Sequence, residues 1–260
     1  MRTFISIYSN CIKTAFAQAA AYRLNFVLLL FITLAGNILF PLVTILIYNS
    51  GASFPGWTFY EVLLIQSIFV ISDGLAILMF GGVLWTTMEH VREGSFEIVL
   101  LKPLNPLFFM ISTNFEAENL GLVIGGIIMF TIAVVNTGVA SVISVGQFLL
   151  LFAAGFAVMT GMIFLMAATS FKWVGNSRIP EMYESVTAFG KYPASIFPKF
   201  IQRLTAFVIP VSMIGFLPAQ ALLGNVDALS LIAVIPCGLF LLFGIRVYLR
   251  MVRHYEGVGG

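Results

Sequence analysis

Between Asn119 and Phe171 the chain carries no Asp, Glu, Lys or Arg. About 20 apolar residues suffice to cross the hydrocarbon core of a bilayer as a helix. So long an uncharged run must therefore cross more than once, and the polar residues from Asn136 to Ser144 mark the turn between two crossings. The rest of the chain follows the same rule. It is 60% hydrophobic and only 9% charged, whereas soluble domains are roughly 45–50% apolar. The sequence predicts an all-α membrane protein, a single domain over 1–260, with six transmembrane helices at about 24–48, 61–87, 119–137, 146–170, 203–218 and 228–247. Pro41 falls in the first span, and Pro210 and Pro218 bend or break the fifth.

Residues 1–23 read as an interfacial helix. At about 100° per residue, Phe4, Ile5, Tyr8, Cys11, Ile12, Ala15 and Phe16 share one side, while Arg2, Ser6, Ser9, Asn10 and Lys13 share the other. That pattern suits a helix lying in the membrane plane.

Positive charge orients the spans. All 13 Lys and Arg fall in 1–23, 88–106, 171–203 and 246–260. The intervening loops, about 49–58, 136–146 and 218–228, hold none. By the positive-inside rule both termini and the 88–106 loop are cytoplasmic. The expected location is the cell (inner or plasma) membrane, multi-pass.

The stretch Met88–Pro106 concentrates Glu89, His90, Arg92, Glu93, Glu97 and Lys102 between two apolar spans. Gly94 can end one short helix in left-handed geometry. Ser95 can cap a second, with Glu97 in its first turn and Pro103 as its stop. Two short cytoplasmic helices at the membrane surface would form a docking knob, and an ordinary solvated loop is the alternative.

The chemistry-bearing motifs are few. There is no GxxxxGK[ST] phosphate loop, GxSxG elbow or HExxH. Two histidines and two cysteines make no metal cluster. The chain is expected to have no catalytic residues, metal or cofactor site and no nucleic-acid partner. Gly121-x-x-x-Gly125, followed by Gly126, reads as helix packing. Asp73 stands apart. It lies 12 residues past Glu61, so about 18 Å into the second span, where an acid is costly and a functional candidate. No Lys or Arg is expected at that depth. Asp73 either hydrogen-bonds a neighbouring helix or lines a pathway.

With Arg92-Glu-Gly-Ser-Phe-Glu-Ile-Val-Leu-Leu-Lys-Pro-Leu-Asn-Pro106 in the first cytoplasmic loop, and Tyr192-Pro193, Arg203, Pro210 and Leu217-Pro218-Ala219 further on, the chain resembles permease subunits of the type-2 ATP-binding-cassette exporter family. It is similar to their small six-span branch, often associated with export of daunorubicin-like or viologen-like compounds. The resemblance implies that residues 88–106 are the coupling loop, with Glu89, Arg92, Glu93, Gly94, Ser95 and Glu97 facing a separate ATPase subunit that holds the ATP and magnesium. It also implies a second permease, either an identical copy or a related chain. The cargo expected from the sparse intramembrane charge is hydrophobic or amphipathic. The family often has a re-entrant element before the last span, for which 218–228 leaves little room. The alternative function is an ion- or proton-coupled secondary transporter using Asp73.

Overall fold

The computed structural model describes residues 2–37, 39–138, 141–173, 178–226 and 231–255. All elements among them are helical. Five segments are long and apolar enough to cross a membrane: 23–49, 59–93, 117–137, 142–170 and 234–253. The side chains of Phe4 and Ile5, and the expected start of the last span at 228–230, lie outside the described residues.

The interfacial helix α1 (Arg2–Ala21) ends at Tyr22, where the backbone leaves helical geometry (φ −105°, ψ 45°). α2 (Arg23–Gly36) and α3 (Leu39–Asn49) then form the first span. This span is almost entirely exposed, as a lipid-facing helix of Leu, Ile, Val and Phe can be. It is tied to the bundle by Asn37, whose Nδ2 donates to the carbonyl of Leu122 at 3.2 Å, and by Thr44, whose Oγ1 accepts from Gln66 Nε2 at 2.8 Å.

The second span is the axis of the fold. Thr58 starts it with a capping box: the Thr58 amide donates to Glu61 Oε2 at 2.8 Å, and the Glu61 amide donates back to Thr58 Oγ1 at 3.4 Å. α4 (Phe59–Ala76) continues through a single π-helical turn, Ile77–Gly81, into α5 (Gly82–Glu93). This rod of 35 residues measures roughly 50 Å at 1.5 Å per residue. It exceeds a hydrocarbon core of about 30 Å, so its last turns stand clear of the membrane. The 50–58 loop marks the upper end of the bundle and Gly94 the lower.

A short helix α6 (Glu97–Leu100) and then α7 (Pro106–Thr113) follow. The Asn105 side chain caps α7, accepting from the amides of Leu107 (3.0 Å) and Phe108 (3.3 Å), with Pro106 at its first position. α7 packs against α5 and α1. α8 (Leu120–Thr137) and α9 (Val142–Ser170) supply the third and fourth spans. Gly121 of α8 lies so close to the Leu30 carbonyl and Thr33 of α2 that no side chain fits between, in line with the expected packing role. α9 is the core helix. One side receives α4, and the other receives the last span, α13 (Val234–Arg253).

The stretch after α9 departs from expectation. It was expected to stay at the lower end until a fifth span at 203–218. Instead α10 (Ile179–Thr187) and two 3₁₀ turns climb beside α4. Tyr183 meets Asp73, Lys191 reaches Phe69, and Ser195 Oγ accepts from Trp57 Nε1 at 2.9 Å at the upper end. The next two helical pieces, Lys199–Val208 and Val211–Leu222, meet at 79°. The first holds α11 (Lys199–Arg203) and the second α12 (Phe216–Leu222). Phe216 packs edge-on against Trp57 at 5.6 Å, and Leu222 joins Leu63 and Leu64 in the upper core. Both ends of 195–222 therefore sit at the upper end, so the segment doubles back. Proline is the reason: Pro193, Pro198 and Pro210 each lack an amide donor and interrupt any straight helix. The re-entrant element is thus supplied by 199–222 and not by 218–228. Lys191, Lys199 and Arg203 belong with the upper half, so the charge segregation is less complete than the sequence implies.

This geometry makes a direct test. In a background lacking Cys11 and Cys237, cysteines at Ser53 and Ser195 will label from one side of the membrane with an impermeant thiol reagent, and a cysteine at Ser95 from the other. Labelling of Ser195→Cys together with Ser95→Cys would restore the sequence-based topology.

Candidate functional site

The rod joins two features at its ends. At the lower end Gly94 adopts φ +69°, and the Ser95 amide closes the α5 terminus on the His90 carbonyl at 2.8 Å. The left-handed turn costs an L-residue about 1–2 kcal/mol and glycine nothing. The chain then reverses, and Phe96 is driven back into the bundle. It is fully buried, with ring centroids 4.9 Å from Phe171, 5.4 Å from Tyr255 and 6.4 Å from His90. Beside it Tyr248 of α13 shares a hydrogen bond of 3.0 Å with Thr87 of α5. The knob is thus bolted to the ends of α9 and α13.

Outside this anchor, Glu89, Arg92, Glu93 and Glu97 are exposed. Ile98 and Leu101 join them at 56% and 84% exposure, a mixed acidic and apolar surface. Arg92 and Glu93 form an ion pair at 4.0 Å, too exposed to contribute much stability. Two expectations are corrected. The first short helix is not separate, because α5 continues the span. Ser95 does not cap α6: its Oγ pairs with His90 Nδ1 at 2.7 Å, and Phe96 stands at the N-cap of α6, which has no side-chain cap. Phe96, Ile98 and Leu101 were not singled out from sequence, since a hydrophobic residue in a charged loop gives no sign of which way it points.

Higher on the rod, Asp73 Oδ1 accepts from the buried Tyr183 hydroxyl at 2.9 Å. A groove of about 230 Å³ opens beside this pair, between α4 and α10. Lys191 stands at its upper part, its Nζ 3.9 Å from the Phe40 ring centroid and 5.1 Å from that of Phe69. Glu184 and Trp85 line the exposed side. A cation does therefore share the depth of Asp73, contrary to expectation. The two do not form an ion pair, since Arg92–Glu93 is the ion pair found among the described residues. Lys191 was hidden in sequence because a charged stretch divided by prolines reads as short helices lying in water.

The π turn runs along the groove, which Ile77 and Gly81 help to line, and above the knob. Its wider winding frees the Leu78 carbonyl, which accepts from the Glu116 amide at 3.1 Å. Glu116 Oε2 accepts from Asn119 Nδ2 at 2.7 Å. Burial, reinforced by the neighbouring Glu118 carboxylate, pushes the Glu116 carboxyl up to about 7 despite that hydrogen bond. One turn below, Thr86 Oγ1 donates to Asn114 Oδ1 at 2.8 Å. The connector after α7 is thus fastened to the rod around its π turn.

A helical bundle with five segments apolar and long enough to cross a bilayer, a lower knob, and a largely apolar groove that carries Asp73, Glu184 and Lys191 has the form of a multi-pass membrane protein. Residues 31–259 match the family described as ABC-2 family transporter protein. The chain belongs to that family and is a multi-pass membrane permease of an ATP-binding-cassette transporter, a class of membrane subunit whose partner is an ATPase. No curated protein and no solved structure matches the chain.

Proposed function

We propose that this permease exports a hydrophobic or amphipathic compound, driven by a separate ATPase that docks on Glu89–Lys102. Both termini and the knob face the cytoplasm of the inner or plasma membrane, and a second permease, identical or related, completes the pathway. One observation carries this reading: Gly94 turns the chain so that Phe96 is anchored while Glu89, Arg92, Glu93, Glu97, Ile98 and Leu101 remain free for a partner. In this reading ATPase movement at the knob is carried by the α5 rod to the groove beside Asp73.

The test is co-purification with the co-expressed ATPase, together with ATP-dependent export in vesicles. Proline cannot adopt φ +69°, so Gly94→Pro will leave the spans inserted but abolish ATPase association or uncouple hydrolysis from export. Glu97→Lys costs only about 0.3–1 kcal/mol as a helix-terminus effect, so loss of the complex in that variant reports a lost partner contact. Normal association and export in both variants would remove the knob from the mechanism.

A second reading, ion-coupled transport at Asp73, is favoured by the hydrogen-bonded Asp73–Tyr183 pair beside an open groove. Flux that follows an imposed proton gradient without ATP would establish it, and strict ATP dependence would remove it.

A further inference from the structure

We propose that the groove between α4 and α10 binds the headgroup of a zwitterionic amphipath, with its anionic group on Lys191 and its ammonium toward Asp73 and Glu184. This rests on the transport reading above and narrows its cargo class.

The groove holds opposite charges apart. Lys191 rests over the faces of Phe40 and Phe69 and feels the charges of Asp73 and Glu184 across the groove, but its ammonium makes no hydrogen bond or close ion pair among the described residues. Asp73 Oδ1 is held by Tyr183. Glu184, the next residue of α10, lines the same groove and is exposed.

Each simpler ligand leaves something unmet. A neutral body closing the groove would strip water from Lys191 and Glu184 and give neither a contact partner, leaving only their attraction across the groove, and that is costly for charged groups. An anion alone would satisfy Lys191 but face two carboxylates. A cation alone would suit the carboxylates but meet the Lys191 ammonium already seated over the aromatic rings. A headgroup with both charges satisfies both ends by charge-assisted hydrogen bonds and ionic contact. The remaining walls fit an amphipath. Phe40 and Trp85, 38% and 47% exposed, flank the mouth and offer an apolar tail a surface to pack on. The cavity of about 230 Å³ holds a small headgroup.

The test is calorimetric titration of the purified permease in maltoside micelles, without ATPase or ATP. Four probes share a hexyl chain: hexylphosphocholine, hexyltrimethylammonium, hexyl phosphate and hexyl glucoside. The heat of each probe entering empty micelles is subtracted. Hexylphosphocholine will bind at least about tenfold more tightly than any of the others, a ratio equal to about 1.4 kcal/mol. Lys191→Met will erase its advantage over hexyltrimethylammonium. Asp73→Asn and Glu184→Gln will each reduce its advantage over hexyl phosphate. Glu184 is exposed, so its substitution decides the carboxylate side even where Asp73→Asn assembles poorly. Equal binding of a singly charged or neutral probe to the unaltered protein would overturn the proposal, as would ratios unchanged by Lys191→Met. Because the assay contains no ATPase, its failure leaves the exporter reading standing. Loss of ATP-driven export with the binding pattern intact would instead sink the exporter reading.

Discussion

Phe96→Ala will detach the knob from the bundle. Phe96 is completely buried and lies against Phe171 at the end of α9, Tyr255 beyond α13 and His90 of α5. Emptying such an aromatic site costs about 3–5 kcal/mol. That exceeds any single contact the exposed knob residues make within the chain. The expected result is a lower unfolding temperature together with loss of ATPase co-purification. Ile98→Ala and Leu101→Ala will separate the two effects, because both side chains are exposed: the melting temperature stays and association falls. If Phe96→Ala melts normally, the aromatic anchor does not hold the knob. If it binds the ATPase normally, the knob needs no fixed seat.

Gly155→Val will disrupt the opposite end. A Cβ on Gly155 of α9 would collide with the Met213 carbonyl and lie 2.9 Å from the Ile214 Cα, both backbone atoms of the doubled-back element. Backbone cannot rotate away as a side chain can, so α9 and 211–222 must separate. Overpacking of a tight core costs about 1–3 kcal/mol and more where nothing yields. The control is Gly146→Val in the same helix, where no neighbour lies within 4 Å. The expected outcome is lost export and a lowered melting temperature for Gly155→Val only, with ATPase association retained, because the knob is at the far end of the rod. Export at the normal rate by Gly155→Val would show that the upper element can move off α9 freely.

Much of this architecture was legible in the residues because it rests on short-range rules. The uncharged run from Asn119 to Phe171 could only be spans, and α8 and α9 are those spans. Gly94 was recognisable because a glycine after a polar helical turn has a strong reason to be left-handed. The signal for α7 is present in Asn105-Pro106, a cap followed by a first-turn proline. The failures involve pairs that are distant in sequence. Lys191 enters the bundle because Phe40 and Phe69 offer it ring faces and Tyr183 ties its helix to Asp73. None of these pairings has a sequence period. Ser95 was expected to cap α6, but His90 five residues earlier takes its hydroxyl. Counting basic residues misplaced 179–203 because the count treats every Lys as solvated, and an ammonium over aromatic rings is not.

The π turn at Ile77–Gly81 changes what kind of machine part the second span is. A uniform helix pushed from below acts as a piston and delivers the same displacement to its top. A wide turn stores one surplus residue, and that surplus can be passed along the helix. Each residue of register in an α-helix is worth about 100° of azimuth. Moving the wide turn by one position past a side chain therefore swings that side chain through a large angle while the ends of the rod barely travel. Asp73 is four residues above the first residue of the turn, and the Glu116 amide clasps the carbonyl freed within it. Release of that clasp would free the turn to migrate, and a migration of about four positions would carry it past Asp73 and turn a thrust at Gly94 into rotation there, the action of a cam.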